Sequence, residues 1–263
     1  MGIDDGPAGA LGPQCAPVDP PLPDRRRITH DASAYVCTVS CVALRTVHEL
    51  DIDLPVIDQG ELEPVSAPWG GNLNDAHVQT GRAIRTTLID ARLRRSHLEN
   101  LDLNGVVWED VTVTGCRFEK VDFSAARLTG LTLERVHFVN CKLTWAHLAE
   151  SRLGDVLFEG CRLDAATLDD ITTVGPTGFV GCVLVNTVFR DCVLPQAAMS
   201  GCRLRQMSFE SCDLRGADLR GNQLSEVSGV SSLRGVTIEP AQLPGLTDAV
   251  MRDLGVIVRG PKG

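Results

Sequence analysis

The sequence predicts an all-β solenoid closed by a short C-terminal helix, and three observations predict it. All seven phenylalanines (Phe118, Phe123, Phe138, Phe158, Phe179, Phe189 and Phe209) lie on one five-residue lattice. From Leu73 to Leu168 that lattice, position i, has twenty members, of which sixteen are Leu or Phe. Two residues earlier stand small or slim side chains such as Ala76, Ser96, Cys116, Val121 and Ala146, and seven of the ten cysteines occupy this i−2 position. A helix repeats its buried face every 3.6 residues and a strand every 2. Pairs at i−2 and i in every five residues instead require a two-step strand followed by a turn. Repetition at a fixed period marks a chain whose units bury their apolar faces only by stacking on neighbours. The interior is then filled, and function is expected on the outer walls.

The elements follow in order. Residues 1–29 are rich in Pro, Gly and charge, with the run Arg25-Arg26-Arg27, and predict a disordered tail. Residues 30–70 predict a capping segment, in which Tyr35 to Val42 reads as one strand and an acidic stretch runs from Glu49 to Glu63. The open edge of a β-solenoid invites edge-to-edge pairing unless it is covered. Residues 71–245 carry the repeats. Their lattice breaks near Thr173, where Val174-Gly175-Pro176 intervenes, and resumes one residue later at Phe179, which predicts a bulge at a corner. A second break covers Ser225 to Ser232, after which Leu233, Ile238 and Leu243 are expected to form a last coil. Residues 246–263 predict a helix and cap, with Thr247 capping, Leu246, Val250, Met251 and Leu254 on or near one face, and Gly255 as the stop.

The run Cys212-Asp213-Leu214-Arg215-Gly216-Ala217-Asp218-Leu219-Arg220-Gly221 resembles the pentapeptide-repeat family, whose consensus is Ala-Asp/Asn-Leu followed by two variable residues. The resemblance covers about two thirds of the chain. It implies a right-handed, quadrilateral parallel β-helix with four pentads per coil, hence about eight to nine coils and a rod of roughly 40 Å. The segments Ile238–Leu243 and Leu254–Val258 resemble the C-terminal end common in bacterial members. In the DNA-mimicking members that end also makes a dimer contact, so Leu246, Val250, Met251 and Leu254 are candidates for a homodimer contact or for a monomer's cap.

With coils of 20 residues, Cys141, Cys161, Cys182 and Cys202 stack in one column about 4.8 Å apart and are expected to be reduced core residues. Cys37 and Cys41, outside the lattice, have no partner pair and define no metal site. His77, His97, His137 and His147 occupy i−1 and are expected to point into solvent. His77 and His97 should stack, with no third ligand apparent beside them. The same columns pair Arg82 with Asp102, Asp122 with Lys142, Asp75 with Arg95 and Arg135 with Asp155 as surface ion pairs. No Ser-His-Asp order, phosphate-binding Gly loop or Cys-His metal spacing is present. The expectation is a chain that is not an enzyme, with no catalytic residue, no cofactor and no metal.

Charge by side carries more. The net charge of −9 lies mostly outside the repeats, where eighteen Arg and Lys oppose twenty-one Asp and Glu between residues 70 and 246. One of four sides nevertheless holds Asp90, Glu109, Asp110, Glu150, Asp169, Asp170, Asp191 and Glu210 against only Arg127 and Arg190. Within it Asp90, Asp110, Glu150, Asp170 and Asp191 form a ladder at i+2, with Gly130 as a gap. Neighbouring like charges about 5 Å apart cost on the order of 0.8 kcal/mol in water, tolerable on a solvated edge. This acidic face is the candidate partner-binding site. The first functional expectation is a non-catalytic protein-interaction or scaffold module with an unidentified protein partner. The alternative is a DNA mimic that binds a DNA-binding protein such as DNA gyrase, because the resemblance extends to quinolone-resistance proteins of bacteria. Direct nucleic-acid binding and membrane insertion are not expected. The N-terminus lacks a basic start and apolar stretch, so the expected location is the cytoplasm.

Overall fold

The computed structural model describes residues 42–259. The expected tail over 1–29, nearly all of the expected strand from Tyr35, and both Cys37 and Cys41 lie outside the described residues. In the repeats most lattice residues sit within a short strand, as Leu88 does in Thr87–Ile89 and Trp108 in Val107–Glu109, and those of the third side follow a bridged residue, as Phe123 follows Asp122. Each strand pairs in parallel with the one a coil later, as Trp108 does with Leu88 and then with Leu128. A seven-stranded sheet from Thr87–Ile89 to Ser208–Glu210 forms the fourth side. A twelve-stranded sheet covers the first and second sides together, because Thr132–Val139 and Arg152–Glu159 run through the corner between them. The third side is held mainly by bridges such as Asp122↔Lys142 and Lys142↔Arg162. The result is a right-handed four-sided parallel β-helix of about 7 strand-bearing turns. Bridges Ser208↔Ser228 and Asp218↔Thr237 carry the coil to its end.

The lattice side chains fill the tube. Phe118, Phe138, Phe158 and Phe179 stack with ring centroids 4.9, 4.7 and 4.9 Å apart and planes within 9° of parallel. These spacings are the rung spacing of the sheet itself, and burying each ring contributes about 1.5–3 kcal/mol. The seven described cysteines are free and buried. Their thiols donate to main-chain carbonyls, as Cys141 does to Phe118 and Cys161 to Phe138. Burial pushes the Cys116 thiol up to about 12, so it serves packing and not nucleophilic chemistry.

The inserted residue is absorbed at a corner. Leu153 pairs with Thr173 and Val156 with Thr177, so Val174, Gly175 and Pro176 stand opposite Gly154 and Asp155 alone. The corners share one conformation. Residues at i+2 such as Asp75, Arg85, Asp90, Asn100, Lys120, Trp145 and Asp191 all have φ between 44° and 61°, the left-handed region that costs a non-glycine residue roughly 1–2 kcal/mol. The corner amides compensate by bonding to the next coil: Asp90 N–H donates to Glu109 O at 3.0 Å and Glu150 N–H to Asp169 O at 3.0 Å.

The segment before the repeats departs from a simple cap. Strand β1 (Val42–Val47) and strand β2 (Leu50–Pro55) form an antiparallel hairpin. It lies along the outward face of the second side, where Val47, Ile52 and Leu54 make a small core with Leu157 and Ala198. Gly178 makes room for it: a Cβ there would stand 2.7 Å from Ile52 Cδ1 and 2.9 Å from Leu157 Cδ1. The chain then descends to strand β3 (Glu63–Pro64), which pairs in parallel with Ala76–His77 at the first coil. Val65, Ala67 and Trp69 pack against the core there.

At the other end, Val230–Leu233 forms a 3-10 turn and Leu233 is buried. Leu243, expected inside the last coil, is instead exposed and begins helix α1 (Leu243–Asp253). Gln242 is buried one residue earlier, donating to the carbonyls of Leu219 and Asn222 at 2.8 Å each. Thr247 lies inside the helix, with its hydroxyl bonded to Leu243 O, and does not cap it. Reciprocal bonds of Glu239 and Gln242 cap a 3-10 turn, Pro240–Gln242, that leads directly into the helix, and Pro244 stands in the helix's first turn.

Candidate functional site

The acidic ladder occupies the corner between the fourth and first sides. Asp90, Glu109, Asp110, Glu150, Asp170 and Asp191 are exposed, and none lies within ion-pairing distance of a described cation. Asp169 is half-buried and, with Glu210, is paired to Arg190 at 4.0 and 3.0 Å. The gap is spatial as well as chemical. Gly130 has φ 67°, and a Cβ on it would collide with Asp110 Oδ1, so the Asp110 carboxylate lies across it.

Left-handed corners favour Asp, Asn and Gly, which offers a conformational reason for the aspartates. The other three corners test that reason. The corner after the third side carries Arg85, Gly105, Ala125, Trp145, Ala165, Asn186 and Gln206 in the same conformation. The corner after the second side carries Asn100, Lys120, Asn140, Gly160, Gly181 and Gly201, and the corner after the first side carries Asp75, Arg95, Gly115, Arg135 and Asp155. Backbone shape therefore limits the residue types at a corner without choosing their charge. Among these corners, only the one after the fourth side carries several charges and all of one sign.

The expected histidine columns require correction. His147 is half-buried on the fourth side, but His97 and His137 are buried, because the descending N-terminal segment covers the second side. His77 and His97 stack at 5.2 Å with planes 3° apart, as their spacing predicts. A third donor does stand beside them. Glu99 Oε1 is 2.9 Å from His77 Nε2, and the donor atoms of His77, His97 and Glu99 all lie within 4.8 Å of one another. Sequence reasoning missed Glu99 although it points outward on the same strand as His97, two residues on. It also missed Gln59, whose side-chain amide lies 3.1 Å from His97 Nδ1. Burial lowers the proton affinity of His97.

One coil further, Arg117 Nη1 donates to His137 Nδ1 at 2.9 Å, which leaves the proton on Nε2 to be donated to Glu159 Oε2 at 3.0 Å. Desolvation and then the Arg117 charge hold His137 below its ordinary pKa, against the pull of Glu159. Three of the four expected ion pairs are present: Arg82–Asp102, Lys142–Asp122 and Arg95–Asp75. The fourth is replaced, since Arg135 pairs with Glu134 and Asp155 accepts the main-chain N–H of Asp53 from the hairpin.

Of the C-terminal candidates, Leu246 packs against the core, Val250 and Met251 are half-buried, and Leu254 is exposed. Ala249, fully buried, was not among the expected contacts. The helix is tied across the last coil by Asp253, which accepts from Val230 N–H at 2.8 Å, and by Arg252, which donates to Ser225 O.

Residues 111–177 match the family described as Pentapeptide repeat region, and residues 91–130 and 179–206 match Pentapeptide repeats (8 copies). Comparison with curated proteins gives no match. Among solved structures the chain is similar to HetL, a pentapeptide repeat protein involved in heterocyst differentiation regulation from the cyanobacterium Nostoc sp. The two are 21% identical over 64% of this chain and 83% of HetL, with a TM-score of 0.37. It is also similar to a trypsin-treated variant of QnrB1, a plasmid-mediated fluoroquinolone resistance protein, at 17% identity over 75% of this chain and 100% of that one, with a TM-score of 0.40. A third likeness is to a pentapeptide repeat protein of the Arabidopsis thaliana thylakoid lumen, 18% identical over 49% of this chain and 72% of that one, with a TM-score of 0.22.

Proposed function

The chain belongs to the pentapeptide-repeat proteins, and from that premise we propose that it is a non-catalytic interaction module of the cytoplasm, engaging a basic protein partner along the corner of Asp90, Asp110, Glu150, Asp170 and Asp191. One observation carries this reading: four corners share a backbone conformation, and only this one is filled with exposed carboxylates left without described partners. A line of like charge on a rigid edge raises the local concentration of a cationic surface and steers its approach, more strongly at low salt.

The finer reading is that the partner is a DNA-binding protein such as DNA gyrase, to which the edge presents phosphate-like negative charge in a row. Charge reversal tests both. The triple variant Asp110→Lys, Glu150→Lys, Asp170→Lys is expected to keep the fold and to lose a salt-sensitive partner that the unchanged protein retains from cell extract. Equal retention by both proteins would remove the corner from the function. A gyrase supercoiling assay tests the finer reading, and no inhibition at micromolar protein rejects gyrase as the partner.

A further inference from the structure

We infer that His77, His97 and Glu99 form a binding site for one divalent transition-metal ion of the zinc class, roofed by Gln59. Two imidazoles and one carboxylate suit zinc, and the borderline ions near it, better than magnesium or calcium. The geometry is close to assembled. All three donor atoms lie within 4.8 Å of one another, whereas donors about 2.0–2.2 Å from a tetrahedral ion stand roughly 3.3 Å apart. Closing that difference requires the two rings to turn out of their parallel stack toward a shared ion.

A second observation points to a ligand. The His97 side chain is 3% exposed, and its Nε2 has no hydrogen-bond partner. A buried ring nitrogen in that state is costly unless something occupies it. The other nitrogen, Nδ1, faces the Gln59 amide at 3.1 Å. The amide nitrogen, Gln59 Nε2, is the atom that faces the ring. Ion binding therefore requires the amide to flip, so that its oxygen accepts an Nδ1 proton and the His97 Nε2 lone pair is free for the ion. Metal-bound histidines are held by an outer partner of this kind. Glu119 Oε2 is 3.9 Å from His97 Nε2 but already accepts from Arg117, so it lies outside the donor set. Arg117, the nearest cation in the column, is engaged by Glu119 and His137. His77 and Glu99 are each 17% exposed, which opens the site to ions from solvent.

The test is titration of the tag-free full chain with zinc chloride in competition with a chromophoric chelator, together with the visible spectrum of the cobalt-substituted protein. The expected result is one tight equivalent per chain and a cobalt spectrum of nitrogen and oxygen ligation. Glu99→Gln and His77→Gln, checked for unchanged circular dichroism, are each expected to weaken binding at least tenfold, and Gln59→Ala about tenfold. His147→Gln, on another side, should bind as the unchanged protein does. No stoichiometric uptake at micromolar zinc would overturn the site. So would undiminished binding by Glu99→Gln and His77→Gln, or a cobalt spectrum with thiolate charge transfer.

Discussion

The second and fourth sides of the tube are built from the same strand and turn, yet they meet their surroundings in opposite ways. On the fourth side most outward positions keep some contact with water, and the corner beside it collects carboxylates. On the second, the outward positions Leu157, Ala198, His97 and His137 are buried under a segment that precedes the repeats. The difference shows that a repeat lattice divides side chains into inward and outward but leaves open which outward wall becomes a second interior. That choice belongs to a non-repeating segment and to the few residues that accommodate it, Gly178 above all. Polar groups on the covered wall are correspondingly organised into His–Glu and Arg–Glu contacts, while the bare corner needs no such partners.

Four measurements sharpen or break this contrast. The largest effect is expected inside the tube, common to both walls: Phe158→Ala opens a void between Phe138 and Phe179 and should cost about 3–5 kcal/mol in urea unfolding. Ile52→Ala, in the secondary core, should cost about 2–4 kcal/mol, and hydrogen exchange should speed along Leu50–Pro55 while the phenylalanine column stays protected. If Ile52→Ala matched an exposed-site substitution, the hairpin would not be a structural part of the covered wall.

The third effect depends on pH. His137 has a lowered proton affinity in the fold, so the unfolded chain binds the proton first. Its contribution is therefore complete above the ordinary histidine pKa of about 6.5 and is lost as pH falls below it toward the folded value. The urea midpoint should fall between pH 7.5 and 5.5, and His137→Gln should flatten that slope. An unchanged slope would mean that the wall does not hold His137 neutral. The smallest effect belongs to the bare corner. Neutralising Asp110, Glu150 and Asp170 to amides should shift stability by less than about 1 kcal/mol, in the stabilising direction and less at high salt. A large loss would show that the corner supports the fold.

The tube itself is legible in the sequence because its cause is local and repeated: a large residue at i and a small one at i−2 leave one way to coil. The inserted residue before Phe179 is legible for the same reason, since it displaces every later member of the lattice. What the repeats do not encode is harder to see. The alternation Leu50-Asp51-Ile52-Asp53-Leu54 is a half-buried strand by its period of two, but its acidic residues suggest a solvated stretch. Leu243 keeps the lattice spacing although the chain has already turned into a helix, and Gln242 fills the place by hydrogen bonding, which hydrophobic periodicity does not register. The acidic corner is visible as charge, and its left-handed backbone is not. Glu99 escapes a search for ligands within one column, because an imidazole and a carboxylate on neighbouring rungs meet diagonally across two.

The extra residue at Val174–Pro176 has a consequence for how such a chain changes length. Being taken up where the path turns, it shifts the count without disturbing the stack, so Phe158 still faces Phe179 at 4.9 Å. An insertion along a wall would instead rotate every later side chain out of phase. The corner is thus the place where this molecule takes up an odd residue at no cost to its column of rings.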